Sequence, residues 1–462
     1  MANDGRMGSG ESEFHINNLR PGRIKSSLFT AIMLAYWDNV MGPMITKVWK
    51  GNDKVEINEE IINYVSNHTL SGELCRQTEK NTIDPKLYVL SDLGYIFFAV
   101  IFNGHSKMGQ TITSLSFIMA YTDLEKYLLL QDFINKQVKL AVLKYRILQR
   151  KDLGNAVKVF SSYMKSFAKT IDSLEHSNIP ENICINNTVF GESEEANDSL
   201  LLDSKFLMKS ITSHLQTCGC TIVIGRHPYK INLMIDTLAL FLSPGERCCS
   251  RYANVEKKYV FNMDLYLQGI IDEPESVYMV ISSKNILLNT FSVSLINVDE
   301  KTVQQTSPLN EHGIMRKDFL KSELGMLLHG SEAPIYPYHQ LFTAEFGDIS
   351  IMVQQFITEL FAIPNKCSIR RKHVENFKLL LKHKSQTLLS YVEEKSDMGK
   401  EALSIHQIRQ LKQDLSIHSD SDFRMILAAA EKIHPGIAVF MEGDDYIKER
   451  EIQAPSASLL WR

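Results

Sequence analysis

The chain has 462 residues, which is long enough for two or three domains of ordinary size. Its hydrophobic and charged fractions, 44% and 23%, are those of a folded globular protein rather than of a disordered or fibrous one. The formal charge of −4 excludes the strongly basic composition typical of many nucleic-acid-binding proteins, so we expect no nucleic-acid partner.

Cysteine usage and hydropathy indicate the compartment. The 7 cysteines are too sparse for the paired framework of a small secreted domain, and they fit the reducing cytosol. The N-terminus lacks the apolar segment of a secretion signal. The longest apolar run, YIFFAVIF, is far shorter than the roughly 18 residues that cross a bilayer. We therefore expect a cytoplasmic protein that reaches membranes only by peripheral recruitment.

The first predicted elements follow a polar arm, residues 1–27, which has too little apolar surface to fold. The segments LFTAIMLAYWD and MITKVW are predicted to be two strands of a hairpin, joined by a turn that contains Gly42 and Pro43. Trp37 and Trp49 are predicted to lie in the core, because large aromatic side chains at such positions usually pack against a covering helix. Asp38, with Asn39, is predicted to shape the turn.

A short helix is predicted to begin at Asn58, a good N-cap that two glutamates follow. Three further strands are predicted at LYVL, YIFFAVIF and TITSLSFIMAY. Thr122 and Glu125 form a sequence capping box for a long helix, and another helix is predicted over about residues 154–175. This order of elements predicts an α+β domain over residues 28–176, in which helices cover a five-stranded antiparallel sheet.

Residues 177–198 combine proline, asparagine and acidic residues without a period, which predicts a linker. An α/β part is predicted over residues 199–345, with helical stripes on both sides of the strand TIVIG. Further strands are predicted at LYLQGII, VYMVI and ILLNTFSVSLINV. Residues 346–441 are predicted to be a helical part, and residues 442–462 a tail.

No catalytic residue, metal site or cofactor site is predicted, because the chain lacks the phosphate-binding glycine patterns and the HExxH and GxSxG motifs. Cysteines and histidines do gather between residues 214 and 249, but their spacing does not suit tetrahedral zinc. Small soft residues in an interior explain them better. The members of this group are His214, Cys218, Cys220, His227, Cys248 and Cys249.

Two basic groups are candidates for contacts with phosphate. Arg146 and Arg150 lie one helical turn apart, as an arginine finger would allow, but they are more typical of the solvated side of a helix. The run RRKH at residues 370–373 opens a predicted helix, and such runs usually face solvent.

Several longer phrases closely resemble the longin-DENN family of the chromosome nine open reading frame seventy-two protein. They occur in the family's order and spread over most of residues 28–437, while the N-terminal arm and the tail after Met441 depart from it. The phrases are AYWDN at 35–39, SNHTLSGELCR at 66–76, SHLQTCGC at 213–220, LSPGERCCSR at 242–251 and AAAEKIHPGI at 428–437. The resemblance implies a longin domain followed by a DENN module.

The resemblance also implies a function. The chain would be a non-catalytic subunit of an assembly that activates Arf or Rab GTPases in autophagy and in lysosomal and endosomal traffic. Its partners would be a second longin-DENN subunit, the Smith-Magenis-region DENN protein, which supplies the arginine finger, and a WD-repeat propeller attached through that subunit. Two alternatives stay open: an exchange factor that acts directly on Rab GTPases, and a pure scaffold.

The predicted partner-binding residues lie on the strand LYVL, which a longin-type sheet leaves at its edge. Leu87, Tyr88, Val89 and Leu90 would pair with a matching strand of the second longin-DENN subunit. On the preceding helix, Ile62 and Val65 would add apolar contact, or alternatively would only cover their own sheet.

Overall fold

The structure is a computed structural model, and its described parts form two compact units. The first unit falls within residues 1–128 and 137–172, and the second within 129–136 and 173–462. The described residues are 22–26, 28–51, 57–73, 82–106, 109–191, 203–272, 281–329, 341–342, 345–395 and 403–441. Of the predicted arm, residues 1–21 and 27 lie outside them, and so does the predicted tail.

A six-stranded sheet in the order β1-β3-β2-β6-β5-β4 forms the base of the first unit. Its strands are β1 Gly22–Arg23, β2 Ala31–Asp38, β3 Gly42–Lys50, β4 Ile83–Leu90, β5 Tyr95–Ser106 and β6 Gly109–Ala120. The five predicted strands are confirmed and pair antiparallel. The sixth, β1, pairs parallel to β3 and was not predicted, because two residues carry no periodic signal.

Three helices belong to this part of the chain: α1 Glu59–Ser71, α2 Leu124–Lys151 and α3 Leu153–His176. The predicted cap of α1 is confirmed, because the Asn58 side chain accepts from the Glu60 amide at 3.2 Å. The predicted capping box of Thr122 and Glu125 is wrong. Thr122 lies inside a 3₁₀ turn, Tyr121–Asp123, and so lacks the extended backbone that an N-cap needs.

Helices cover both faces of the sheet, which explains the unbroken apolar run in β5. Phe97 packs in the cluster that includes the buried face of α1. The next residue, Phe98, faces the opposite side of the sheet. Its ring centroid lies 5.7 Å from that of Tyr127 of α2. Trp49 is fully buried against Phe160 of α3, with ring centroids 6.0 Å apart, which confirms its predicted core position.

The turn between β2 and β3 is held by Asp38, as predicted. Its Oδ1 accepts the N–H groups of Val40 at 2.9 Å and Met41 at 3.0 Å. The hydrogen bonds from Met41 and Val40 lower the pKa of the Asp38 carboxyl, so it stays ionised as an acceptor. Trp37 is only partly buried, at the margin of the cluster below α1.

A mixed four-stranded sheet in the order β10-β9-β7-β8 organises the second unit. Its strands are β7 Thr221–Gly225, β8 Leu267–Ile271, β9 Ser294–Asn297 and β10 Thr302–Gln305. The helices are α4 Ser204–Gln216, α5 Pro228–Ala239, α6 Pro244–Cys248, α7 Ser283–Leu288, α8 Leu309–His329, α9 Ile351–Ala362, α10 Cys367–Lys395, α11 Ile405–Asp414 and α12 Asp420–Ile433.

Two predictions for the second unit are wrong in part. Residues 286–288 were assigned to a strand but belong to α7, because a short apolar run does not distinguish a strand from a buried helix. Residues 177–191 are not a solvated linker. Five apolar side chains of this irregular segment are buried in the core of the second unit: Ile179, Ile183, Ile185, Val189 and Phe190. The predicted strand at 277–281 lies outside the described residues except for Ile281.

None of the helices in the described ranges combines the length and apolar character that a membrane crossing requires.

Candidate partner-binding edge

Strand β4 is the end strand of the first sheet and pairs only on one side, with β5, within the described part of the chain. In an antiparallel pair, alternate residues direct both N–H and C=O away from the partner strand. Pro85 has no amide hydrogen and therefore fits among the outward-facing residues. Leu87 and Val89 share this parity, so their N–H and C=O groups face the open edge.

The side chains of β4 divide between the two faces. Tyr88 and Leu90 pack at the margin of the cluster below α1, whereas Leu87 and Val89 point to the other face. Val89 is 49% exposed, which is unusual for an apolar strand residue next to an open edge. Among the described residues, this edge is therefore both unpaired and apolar.

Two further exposed apolar side chains continue this surface. Leu93 lies on the 3₁₀ turn that directly follows β4. Tyr121 lies at the same end of the sheet, because its N–H donates to the carbonyl of Gly94 at 2.9 Å. We name Leu87, Val89, Leu93 and Tyr121 the β4 surface.

Ile62 and Val65 do not belong to this surface. They are 3% and 0% exposed and lie in the cluster between α1 and the sheet, so the structure favours their role as cover for their own sheet. The partner contact suggested for them is therefore corrected. Apolar residues on one side of a helix serve core packing as readily as docking, so the sequence alone left both roles open.

Sequence reasoning missed an aromatic row that joins α1 to β4. Tyr64 stacks on His68 with ring centroids 5.6 Å apart, and His68 meets Tyr88 edge-on at 5.1 Å. The four-residue spacing of Tyr64 and His68 on one helix was the available signal. This row holds Tyr88 in place on the inner face of the edge strand.

An ion pair also anchors β4. Lys86 bonds to the carboxylate of Glu73, which follows α1, and lies 3.4 Å from Asp84. Burial alone would lower the pKa of Lys86, but the hydrogen bond to Glu73 and the nearby charges raise it overall. The strand is thus fixed on its own sheet while its outer side stays open.

Of the two arginines singled out on α2, Arg150 is exposed, as expected. Arg146 is half-buried, and burial followed by the Arg150 charge lowers its pKa. Burial and the charges of Arg150 and Arg146 also lower the pKa of His105. The two guanidinium groups and the His105 imidazole therefore lie close together at the end of α2, and Arg146 is more buried there than expected.

The expectation that RRKH faces solvent is wrong for Arg370, whereas Arg371 is exposed as expected. Arg370 is buried and donates to the carbonyl of Phe190 at 2.6 Å. Arg371 donates to the carbonyl of Ile183 at 3.2 Å. Both guanidinium groups thus fasten α10 to the irregular segment 177–191, whose carbonyls have no regular hydrogen-bonding ladder.

The cysteine and histidine group lies largely in the interior. The Cys218 thiol donates to the Ala428 carbonyl at 3.3 Å, and His214 Nδ1 lies 2.9 Å from the Thr221 hydroxyl. Burial raises the pKa of Cys220 and Cys249 to about 12, so both are neutral thiols at pH 7. No group of three or more metal-ligating side chains occurs in the described residues.

These features define a class of protein. A mainly antiparallel longin-like sheet with covering helices is followed by a mixed α/β part and a helical part of DENN type, and the candidate site is the backbone edge of β4.

Comparison with known proteins gives the family. Residues 64–312 match the C9orf72-like protein family. The chain is 30% identical over 457 residues to the mouse protein named guanine nucleotide exchange factor C9orf72 homolog, covering 91% of this chain and 94% of that relative. It is 30% identical over 463 residues to the human guanine nucleotide exchange factor C9orf72, covering 93% and 95%. The chain belongs to the C9orf72-like protein family.

Proposed function

We propose that this chain regulates small GTPases by binding other proteins, and that the β4 edge joins it to a second longin-DENN subunit. The names of its relatives, which describe guanine nucleotide exchange factors, support the GTPase-regulating role. The unpaired edge of β4 is the observation that carries the proposed mode of assembly.

Assembly would extend the sheet by one strand from the partner. Leu87 and Val89 offer backbone donors and acceptors, which give affinity when an extended segment adds to an edge. The apolar side chains of the β4 surface would be buried by the same contact, at roughly 25 cal/mol per Å² of apolar area. Lys86 and the aromatic row keep the strand in place before binding, so little ordering cost remains.

The assembly would act as a GTPase-activating complex for Arf or Rab proteins. An arginine held against the developing charge on the γ-phosphate accelerates hydrolysis by about 10³–10⁵. In our proposal the partner subunit, the Smith-Magenis-region DENN protein, supplies this arginine, and this chain positions it. The proposal also includes a WD-repeat propeller that is attached through that partner. It further includes peripheral recruitment of the assembly to lysosomes and endosomes during autophagy.

Direct exchange activity is the second candidate, because the relatives carry that name. An exchange factor binds the nucleotide-free GTPase more tightly than the loaded form, and so shifts the equilibrium toward release. Hydrolysis of GTP and release of labelled GDP should be followed on Arf and Rab proteins with the chain alone and with its partner. Faster hydrolysis only with the pair supports the activating complex, whereas release stimulated by the isolated chain supports exchange.

Replacing Val89 by aspartate should weaken capture of the second longin-DENN subunit by at least about ten-fold, because a carboxylate would be desolvated at the joint. Leu87→Pro should act similarly, since it removes one outward N–H at a place where the strand already tolerates Pro85. Titration of the labelled partner by fluorescence anisotropy measures both effects.

Val159→Asp on α3 is the matched control, because Val159 is 46% exposed and Val89 is 49% exposed. This control should bind the partner as the unmodified chain does. Equal affinity of all three variants would show that the partner docks elsewhere.

A further inference from the structure

A small pocket in the second unit lies at the N-terminus of helix α8. It has a volume of ≈ 30 Å³ and opens partly to solvent, so a ligand larger than a water molecule can extend out of it. Its walls come from the ends of α4 and β10, the first turn of α8 and one side of α12. The lining residues are Gln216, Gln305, Pro308, Leu309, Asn310, Arg424 and Leu427.

The start of α8 has no side-chain cap. Pro308 provides the carbonyl for the first helical hydrogen bond, from His312 N–H at 2.8 Å, but proline has no side-chain oxygen. The N–H groups of Leu309, Asn310 and Glu311 have no acceptor within the described ranges. A helix of 21 residues therefore presents free donors and the positive end of its dipole beside the pocket.

A cation lines the same pocket from α12. One guanidinium nitrogen of Arg424 pairs with Asp348 at 3.1 Å, and this is the only hydrogen bond of Arg424 to another described residue. Its other N–H groups stay available to a ligand. Free amides and a guanidinium together favour an oxyanion.

The Asn310 side chain, in contrast, requires a ligand group that donates a hydrogen bond. This side chain is 6% exposed, and its Oδ1 atom has no hydrogen-bond partner in the described structure. An acceptor buried without a donor is costly, so its occurrence beside a pocket calls for a group that donates. A ligand that satisfies the whole site must carry anionic oxygens and one hydroxyl.

We propose that this pocket binds inorganic phosphate. The anionic oxygens would accept from the first-turn amides of α8 and from Arg424, and the remaining hydroxyl would donate to Asn310 Oδ1. Sulfate and the dianion of a phosphate monoester carry no such hydroxyl, so the site selects free phosphate over both. Bound phosphate would tie α8 to α12 and stabilise the second unit.

Isothermal titration of the full chain with inorganic phosphate, sulfate and methyl phosphate at equal ionic strength and pH 7 tests this site. Saturable phosphate binding is expected, at least about ten-fold tighter than that of the two other anions, since one hydrogen bond to a charged ligand is at stake. Arg424→Gln and Asn310→Leu should each weaken phosphate binding by about ten-fold or more.

The Asp348→Asn variant distinguishes an effect on phosphate binding from an effect on folding. It removes a carboxylate that competes for Arg424, so phosphate binding should become several-fold tighter. Arg409→Gln is the control for Arg424→Gln. It removes one positive charge from an exposed position on α11 and should leave phosphate binding unchanged. The proposal is overturned if phosphate does not bind, if sulfate binds equally well, or if the variants at 310 and 424 bind as the unmodified chain does.

Discussion

Replacing Trp49 by alanine is expected to lower the free energy of unfolding of the first unit by about 3–5 kcal/mol. The side chain is fully buried between β3 and α3, where it meets Phe160 edge-on. Truncation removes this contact and leaves a cavity that the surrounding sheet cannot close, because packed strands move little. Gly22 of β1 also approaches the indole closely, so the short parallel strand should loosen together with it.

Urea unfolding followed by circular dichroism measures this loss. Trp37→Ala serves as the control, because Trp37 is only partly buried and its truncation should cost clearly less. Trp49→Phe should recover much of the stability, since the indole N–H has no hydrogen-bond partner in the described structure to lose. Equal destabilisation by the two alanine variants would contradict the assignment of Trp49 as the central side chain of this face.

The sequence was sufficient where a local pattern matched the tertiary environment. The β2–β3 hairpin, the Asn58 cap and the helix α3 were predictable because alternation, capping chemistry and helical period each occur within a few residues. Strand β10 was not predictable. Three of the four residues in its sequence TVQQ are polar, and it forms because β9 offers an antiparallel partner.

The candidate site was predictable in part. Periodicity placed LYVL as a strand and the family resemblance placed it at an edge, but only the sheet order leaves its outer side unpaired. Ile62 and Val65 were assigned less well from the sequence. Apolar residues on one side of a helix do not show whether that side packs on its own sheet or on a partner. The burial of Arg370 was not predictable from the sequence either, because it depends on a contact with a distant part of the chain. Its acceptor, the Phe190 carbonyl, lies 180 residues away in sequence.

The second unit should lose stability as the pH falls below about 6.5, because of two buried histidines. Burial, with a smaller effect of Lys432, lowers the pKa of His214 to about 3, and burial lowers that of His312 to about 4. An unfolded histidine has a pKa of about 6.5. Between these values the unfolded chain takes up protons and the folded chain does not, so each histidine costs about 1.4 kcal/mol per pH unit.

Asp236 acts in the opposite direction. Burial raises its pKa to about 6, against the lowering effect of the Tyr252 hydrogen bond. Below pH 6 the folded state therefore gains a proton that an unfolded aspartate, with a pKa of about 3.9, does not yet bind. Its contribution offsets roughly one of the two histidines between pH 6 and 4.

His312→Gln isolates one histidine, because glutamine can still donate to the Asn289 carbonyl that His312 Nε2 contacts at 3.0 Å. Denaturant unfolding from pH 7 to 4.5 should show that the gap between the two proteins changes by about 1.4 kcal/mol per pH unit, with the variant falling less steeply. The exposed His418→Gln control should run parallel to the unmodified chain. A parallel course for His312→Gln would mean that this imidazole is protonated in the folded state as readily as in the unfolded chain.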